Sequence, residues 1–405
     1  MKKSLLAVAV AAALPAFAYA QTNVTLTGYL KTGITQTKYS NGTANLAGTT
    51  ITNNGNHTAL NDGASRFIIK GTEDLGGGLK AIFQIDNRFR PDDGGDAWTA
   101  GTGATFVGLS GGFGSVRLGK IDTYYIYGLD EHAYRATALQ HWSNSILGYV
   151  GSAAGNIARN SRLNNVIRWD SPNFGGITGG ITFSPGASQS SCVNSGTPTA
   201  LAANPQALAA CRSLASAGEG VTMGDGNKGQ VWSANVGYAG GPLSLGAAYY
   251  DEKVEGYKLL TGTANTGQQA WRIWGGYNFG MFKVGLTYDE STLKVANSND
   301  VKRAAFSIPV TAQIGTGTLM FTYTQARDLD RDATGKLADS GAKMFVLGYD
   351  YPLSKRTSVG VSYAVLNNEA NAAYSLFSVN SLNNLSLATT GQDSKQLHIG
   401  VNHKF

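Results

Sequence analysis

The sequence predicts an all-β protein, an antiparallel β-barrel of sixteen strands that crosses a membrane with short turns at one end and long loops at the other. Three observations predict it. Apolar residues recur at every second position, the connections alternate between short and long, and the strand-like rhythm continues to the final residue, Phe405. Chain ends usually fray, so a last strand of this kind needs a partner.

The two-residue period separates each strand into an apolar and a polar face. In VTLTGYLKTG, Val24, Leu26 and Leu30 share one face, and Lys31 lies on the other. The same pattern recurs in SRFIIKG, LKAIFQID, MFKVGLTYD, KMFVLGYDY and SVGVSYAVL, and sixteen candidate strands can be counted, ending with LHIGVNHKF. No helical period is sustained, although 122–147 has room for a helical turn.

Glycine-rich stretches of a few residues join neighbouring strands on one side. They lie at 75–78, 110–114, 238–241, 278–280 and 314–317. The connections on the other side are long and polar, at about 31–64, 87–104, 122–164, 184–229, 251–268, 289–302, 327–342 and 367–395. Alternation of short turns and long loops is typical of outer-membrane barrels, whose periplasmic turns are short and whose extracellular loops are long.

The polar face carries Arg, Lys and Asp, so it would make a poor core and a good wall for water. An apolar exterior around a polar interior fits a barrel in lipid. Every backbone group in lipid must be paired within the protein, so the sheet has to close on itself. We therefore expect the last strand to pair with the first and Phe405 to lie in the aromatic girdle.

The first twenty residues predict an export signal. Lys2 and Lys3 precede a short apolar run that ends on Ala18-Tyr19-Ala20, an A-x-A pattern for cleavage. The mature chain would start at Gln21, so the barrel would span 21–405, and no stretch is long enough for an apolar spanning helix. The formal net charge of +6 is mild and the basic residues are scattered, which does not favour nucleic acid.

Several motifs together resemble a known family. SRFIIKGTEDLGGGLKAIFQID, FVGLSGGFGSVRLGK, NNVIRWDSPNFGGITGGITF and the terminal Phe are similar to the trimeric general porins of the Gram-negative outer membrane, particularly the beta-proteobacterial type. The resemblance implies a sixteen-stranded barrel, a homotrimer in outer-membrane lipid, and a constriction loop at about 122–164 folded into the lumen. It also implies passive diffusion of small hydrophilic solutes and ions, with no cofactor.

The resemblance further implies pore-lining basic side chains at Arg66, Lys120 and Arg168, facing acidic side chains at Asp130 and Glu131 on the inserted loop. Alternation agrees for Arg66 and Arg168 and adds three members to the polar face, namely Lys31, Lys70 and Arg117. It disagrees for Lys120, because strict alternation from Val116 and Leu118 turns Lys120 outward. A bulge would reconcile the two readings. The excess of basic residues on this face predicts a mild preference for anions.

In the porin family the barrel-assembly machinery recognises the terminal aromatic strand, so we expect that role for Phe405. The family usually has a further aromatic two positions earlier, where this chain has His403. The second loop, about 87–104, reaches over the neighbouring subunit in the family, and DDGGD at 92–96 could make that contact.

Cys192 and Cys211 are the only cysteines, and an even count in an exported chain predicts a disulfide within the loop 184–229. A metal reading of 92–96 and of Asp328, Asp330 and Asp332 is weaker. The second cluster lacks the glycine and the glutamate of a calcium-binding loop, so solvated turns explain it better.

Other function classes stay open at this point. The chain has only five histidines and neither a G-x-S-x-G nor an H-E-x-x-H motif, which argues against an enzyme, although a triad assembled from distant positions leaves no motif. A plugged receptor or adhesin would need a large extra domain. The main alternative is a substrate-specific channel, which would carry aromatics along its lumen.

Overall fold

The structure is a computed structural model. It describes residues 23–41, 43–46, 49–52, 55–62, 65–92, 103–128, 137–140, 144–147, 162–185, 229–259, 262–295, 300–331, 335–374, 376 and 390–405. The predicted signal 1–20, the acidic pair Asp130 and Glu131, the cysteines Cys192 and Cys211 and most of the 92–96 cluster lie outside these ranges.

The described elements are almost all strands. In chain order they are β1 Asn23–Ser40, β2 Thr43–Leu46, β3 Thr49–Thr52, β4 Gly55–Asp62, β5 Arg66–Gly76, β6 Leu79–Arg88, β7 Thr105–Gly111, β8 Gly114–Asp122, β9 Arg162–Asp170, β10 Ile177–Ser184, β11 Gly229–Gly240, β12 Leu243–Leu259, β13 Gly262–Asn278, β14 Phe282–Val295, β15 Val301–Ile314, β16 Gly317–Ala326, β17 Leu329–Arg331, β18 Gly335–Leu337, β19 Ala342–Pro352, β20 Thr357–Asn368 and β21 Asp393–Lys404. A 3₁₀ turn, Tyr124–Ile126, and one short helix, α1 Asn144–Leu147, lie between β8 and β9. Neither described helical segment is long and apolar enough to cross a membrane.

Sixteen of these strands close into an antiparallel barrel, which confirms the predicted fold. They are β1, β5–β16 and β19–β21. The ring closes where β21 pairs with β1, in a register that runs from Tyr29 opposite Lys404 to Ser40 opposite Asp393. Beyond that ladder, the N–H of Phe405 donates to the Gly28 carbonyl at 3.1 Å and the N–H of Gly28 to the Phe405 carbonyl at 3.0 Å. The prediction that the last strand pairs with the first is confirmed.

Several strands run further than the sequence predicts. β12 and β13 stay paired up to Leu259 opposite Gly262, within the connection expected at 251–268. β4 pairs with β1 beyond the end of the β1–β5 ladder, within the connection expected at 31–64. Beyond the bilayer a strand needs only backbone pairing, so its side chains can be polar on both faces. Apolar periodicity therefore gave no signal there.

Aromatic residues on the outer face form two bands. Four strands carry two outward-facing aromatic residues that are six positions apart, which is about 20 Å along a strand. The pairs are Trp232 and Tyr238, Trp271 and Tyr277, Phe282 and Tyr288, and Phe345 and Tyr351. Aliphatic side chains such as Val236, Ile273, Leu286 and Leu347 lie between the two members and are exposed. This arrangement is the apolar belt with flanking aromatic girdles that lipid requires.

Candidate functional site in the barrel lumen

The inner face of the barrel is polar. Along β21 the side chains of Ser394, Gln396, His398 and Asn402 are buried, and those of Leu397, Ile399 and Val401 between them are exposed to the outside. The other strands likewise alternate between side chains that face the lumen and side chains that face the exterior, so each charged wall residue can be assigned to one of the two faces.

One basic group on the inner wall is an arginine pair across β5 and β6. Arg66 lies directly opposite Arg88 in the register. Arg66 forms an ion pair with Asp86 at 3.1 Å, and its guanidinium lies 5.3 Å from the centre of the Tyr29 ring. Lys70 follows Arg66 on the same phase of β5 and is exposed. Asp86 therefore pairs with Arg66, and Arg88 adds a second guanidinium group to the same part of the wall.

A second arginine pair lies across β8 and β9. Arg117 is directly opposite Arg168, and both bind Asp170, Arg117 through Nε at 3.1 Å and Arg168 through Nε at 2.8 Å. Arg168 also donates to Thr182 Oγ1 at 2.8 Å and to Asn235 Oδ1 at 2.9 Å, and it contacts the hydroxyl of Tyr127. Here a single carboxylate serves two guanidinium groups.

The register favours Arg117 over Lys120 as a lumen residue. Leu118 pairs with Val107, and both are about half exposed on the outer face, at 49% and 58%. Ile121 is buried inside the barrel, so Lys120 between them shares the outward phase of Leu118. The register shift against β9 lies between Gly119 and Ile121, and the extra residues are on the β9 side, where Asn165 has a φ of 56°. The bulge therefore leaves Lys120 outward, against the position expected from the resemblance.

The inserted connection between β8 and β9 is held against the wall at Lys31. The Nζ of Lys31 donates to the carbonyl of Leu139, and only 4% of Lys31 is exposed. Nearby, Thr35 Oγ1 and His398 Nδ1 are 2.9 Å apart. Lys31 thus faces inward, as alternation predicts, but its ammonium group binds the protein's own loop.

A buried charge cluster of Arg272, Asp289 and Arg303 was missed from the sequence. Asp289 Oδ2 accepts from Arg272 at 2.9 Å and from the hydroxyl of Tyr124 at 2.5 Å, and Asp289 Oδ1 pairs with Arg303. All three charged side chains are fully buried. Burial raises the pKa of the Tyr124 phenol well above its usual value, so its hydroxyl stays protonated and donates.

The same cluster, called here the wall clamp, binds the backbone of the inserted connection at two places. Arg272 donates to the Tyr127 carbonyl at 2.9 Å, and Arg303 donates to the Ile146 carbonyl at 2.9 Å. Both arginines also reach the Leu147 carbonyl. Alternation could have found the clamp, because Trp271 and Ile273 flank Arg272 exactly as Ile167 and Trp169 flank Arg168.

The described parts of the inserted connection pack on much of the inner wall, from β8 and β9 round to β21 and β1. Tyr124 packs on Tyr250 of β12, Tyr127 stacks on Trp274 of β13, and Ile146 and Leu147 pack in an apolar cluster with β15, β16, β19 and β20. In a closed ring of sixteen strands, β6 lies opposite β14. The Arg66 and Arg88 pair is therefore on the wall opposite β13 and β14, whereas Arg168 of the second pair itself contacts Tyr127 of the inserted connection.

Asp328, from the acidic cluster at 328–332, has a structural role in its loop. Asp328 Oδ1 accepts the N–H groups of Ser340 at 2.9 Å and Gly341 at 3.1 Å, which fixes a loop turn. Among the residues the structure describes, no three His, Cys, Asp or Glu side chains are grouped so that they could hold a metal ion.

Comparison with known proteins matches this architecture. The profile of a family described as Gram-negative porin matches residues 7–371. Outer membrane porin protein 32 of Delftia acidovorans is 29% identical over 381 residues, covering 91% of this chain and 90% of the relative. Major outer membrane protein P.IA of Neisseria meningitidis serogroup A is 27% identical over 406 residues, covering 90% and 94%.

Solved structures share the fold. The anion-selective porin from Comamonas acidovorans aligns with a TM-score of 0.68 at 23% identity, over 95% of this chain and 100% of that chain. OmpT of Vibrio cholerae in its trimer form aligns with a TM-score of 0.57 at 14% identity, over 95% and 99%. These neighbours support the barrel fold.

Proposed function

This chain belongs to the Gram-negative porin family and forms an outer-membrane channel, and on that basis we propose that small hydrophilic solutes and ions diffuse through it with a mild preference for anions. The relatives from Delftia and Neisseria agree with the predicted beta-proteobacterial type. Members of this family are channels, and the proposal includes no enzymatic activity.

The preference for anions rests on the two cross-strand arginine pairs. Like charges placed directly opposite each other destabilise a sheet. Arg117 and Arg168 share one carboxylate, Asp170, so this group keeps a net positive charge. Arg66 and Arg88 place two further guanidinium groups beside Asp86. A positive wall beside a low-dielectric barrel raises the local concentration of anions. Pairing with Asp86 and Asp170 weakens the field, which makes the preference mild.

The size limit would come from the connection 122–164. Its described parts are packed on the wall, so solutes would pass between them and the part of the wall that carries Arg66 and Arg88. Asp130 and Glu131 belong to the same connection, and we propose that they face the basic wall and create a transverse field. That field would orient dipolar solutes.

We propose a homotrimer of this channel in outer-membrane lipid, after cleavage of residues 1–20 and assembly through the terminal strand. The exposed apolar belt and the pairing of Phe405 with Gly28 support the lipid and assembly parts. The neighbour from Vibrio cholerae is described in a trimer form, which supports the trimer.

A substrate-specific channel is the weaker alternative. The aromatic rings nearest the lumen arginines lie against guanidinium groups, with Tyr29 near Arg66 and Phe106 near Arg117 at 5.0 Å. They orient charges instead of forming a continuous track for a ligand.

The proposal is tested with purified protein in planar lipid bilayers and in liposomes. We expect stepwise conductance and swelling of liposomes in small uncharged sugars, without saturation. Replacing Arg66 and Arg168 by glutamine should shift the permeability ratio toward cations, because Asp86 loses its partner and Asp170 keeps only Arg117. Lys395→Gln removes one positive charge from the outward phase of β21 and serves as the control for loss of charge outside the lumen. An unchanged ratio in the double variant would refute the electrostatic assignment.

A further inference from the structure

The inner wall has a flat area made of glycines where β1, β19, β20 and β21 meet. Gly33 lies opposite Gly400, and Gly400 lies opposite Gly360, so three glycines form a row across three strands. Gly348 on β19 is opposite Ser362, close to the same row. We call Gly348, Gly360 and Gly400 the glycine socket.

The socket holds residues 137–140 of the inserted connection, called here the tip segment. A Cβ atom at Gly348 would lie 2.8 Å from Leu139 Cδ1, and one at Gly360 would lie 2.7 Å from Leu139 Cδ2. A Cβ at Gly400 would lie 2.8 Å from the Ala138 carbonyl oxygen. Contacts this short do not occur in folded proteins, so any larger residue there would have to displace its neighbours. Ala138 and Leu139 are fully buried.

Polar contacts surround the socket and bind the backbone of the tip segment. Asp350 Oδ1 accepts the N–H of Ala138 at 2.7 Å, and Ser362 Oγ accepts the N–H of Gln140 at 3.3 Å. The Lys31 ammonium group binds the Leu139 carbonyl between them. Three strands thus satisfy consecutive backbone groups of the tip segment, which a segment lying loosely in water would not need.

We propose that the glycine socket and Asp350 determine the size limit of the channel by seating the tip segment against the wall in the conducting state. The inference rests on the proposed function, because it assigns the residues that set the solute size limit of the proposed channel. The absence of side chains at Gly348 and Gly360 lets Leu139 lie flush with the wall, and the absence of one at Gly400 leaves room for the Ala138 carbonyl. A side chain at any of these positions would push the tip segment toward the lumen and narrow the path for uncharged solutes.

The first test compares Gly360→Val with Gly237→Val. Gly237 is also on the lumen phase of a strand, but a Cβ there would meet only ordinary contacts, 3.6 Å from the Leu245 carbonyl. We expect Gly360→Val to lose conductance and to exclude sugars that enter through the wild type, and Gly237→Val to keep both. Equal sugar limits in the two folded variants would overturn the proposal.

The second test does not require that the barrel folds with a valine at position 360. A Cβ at Gly360 would lie 3.3 Å from Ala138 Cβ, close to the separation of about 3.8 Å that a disulfide needs. In a Cys192→Ser, Cys211→Ser background, Ala138→Cys with Gly360→Cys should therefore crosslink on oxidation, and Gly360→Cys alone should not. Because Gly360→Cys itself adds a side chain against Leu139, the two redox forms of this variant are compared with each other and not with the wild type. The crosslinked form should have the same conductance and sugar limit as the reduced form.

Failure to crosslink, or closure of the channel on crosslinking, would overturn the seated position as the conducting one. Crosslinking is read by mass and does not depend on conductance. If the paired-cysteine variant crosslinks but the wild type never conducts, the result counts against the proposed function. If the wild type conducts but the paired-cysteine variant does not crosslink, the result counts against the socket.

Discussion

Replacing Asp289 by asparagine would break the wall clamp with almost no change in shape. The carboxylate accepts from Arg272, Arg303 and Tyr124, and these arginines in turn hold the carbonyls of Tyr127 and Leu147. An asparagine keeps one acceptor oxygen but places an NH2 donor against a guanidinium group. Two fully buried positive charges would then lack their shared counter-ion.

Removing one partner from a buried ion pair costs about 3–5 kcal/mol, because the remaining charge is buried without compensation. Taking about 3 kcal/mol as the loss in docking free energy of the inserted connection, its undocked fraction would rise about 100-fold. The barrel ladder itself is untouched, so we expect folded protein whose open channel shows excess current noise and closes at lower voltage.

Asp251→Asn is the control for loss of a wall carboxylate, because Asp251 lies on the outward phase of β12, two strands from Asp289, and its carboxylate accepts from Gln269 Nε2 at 2.8 Å. Adding Arg303→Gln to Asp289→Asn removes one of the two buried charges that Asp289 pairs with and should restore part of the heat stability. The reasoning is refuted if Asp289→Asn and Asp251→Asn give the same noise, closing voltage and dissociation temperature in detergent.

Three further predictions concern assembly and the loops. The extracted protein should be a heat-modifiable trimer with an almost pure β circular dichroism spectrum, and a monomer by mass would contradict it. Deleting Phe405 removes two backbone hydrogen bonds to Gly28, worth about 1 kcal/mol each. It also removes the residue expected to guide assembly, so the amount of inserted barrel in cells should fall. Normal insertion would show that this role is wrong. Cys192 and Cys211 should be disulfide-bonded, restricting their loop by about 3 kcal/mol of chain entropy, and intact mass should show the loss of two hydrogens. Reduction should leave the trimer stable, because the bond is expected to order a loop only.

Much of the barrel could be predicted from the sequence because lipid imposes a strict two-residue alternation. Ile167, Arg168 and Trp169 make the point, since the two apolar residues face outward and the arginine faces Asp170 and the lumen. The position of Arg117 followed from the same rule. The resemblance suggested Lys120, whereas the register of β8 gives Lys120 the outward phase of Leu118.

Contacts between the inserted connection and the wall could not be predicted in the same way. The connection has no period, and its partners, such as Lys31 with Leu139 and Asp350 with Ala138, are separated by more than a hundred residues. Arg272, Asp289 and Arg303 each follow the alternation, but only the register brings them together on β13, β14 and β15. The glycines of the socket look like any strand glycines until a side chain is found against them.

Reversal potential in a salt gradient tests the central claim most directly. With purified wild-type protein in a planar bilayer and a tenfold potassium chloride gradient, the account predicts a potential with the sign of anion preference. The preference should weaken as total salt rises, because mobile ions screen the wall charges within about 10 Å at 0.1 M and about 3 Å at 1 M. Strong cation selectivity at low salt would contradict the net positive wall formed by the two arginine pairs, and the absence of any conductance would contradict the open channel itself.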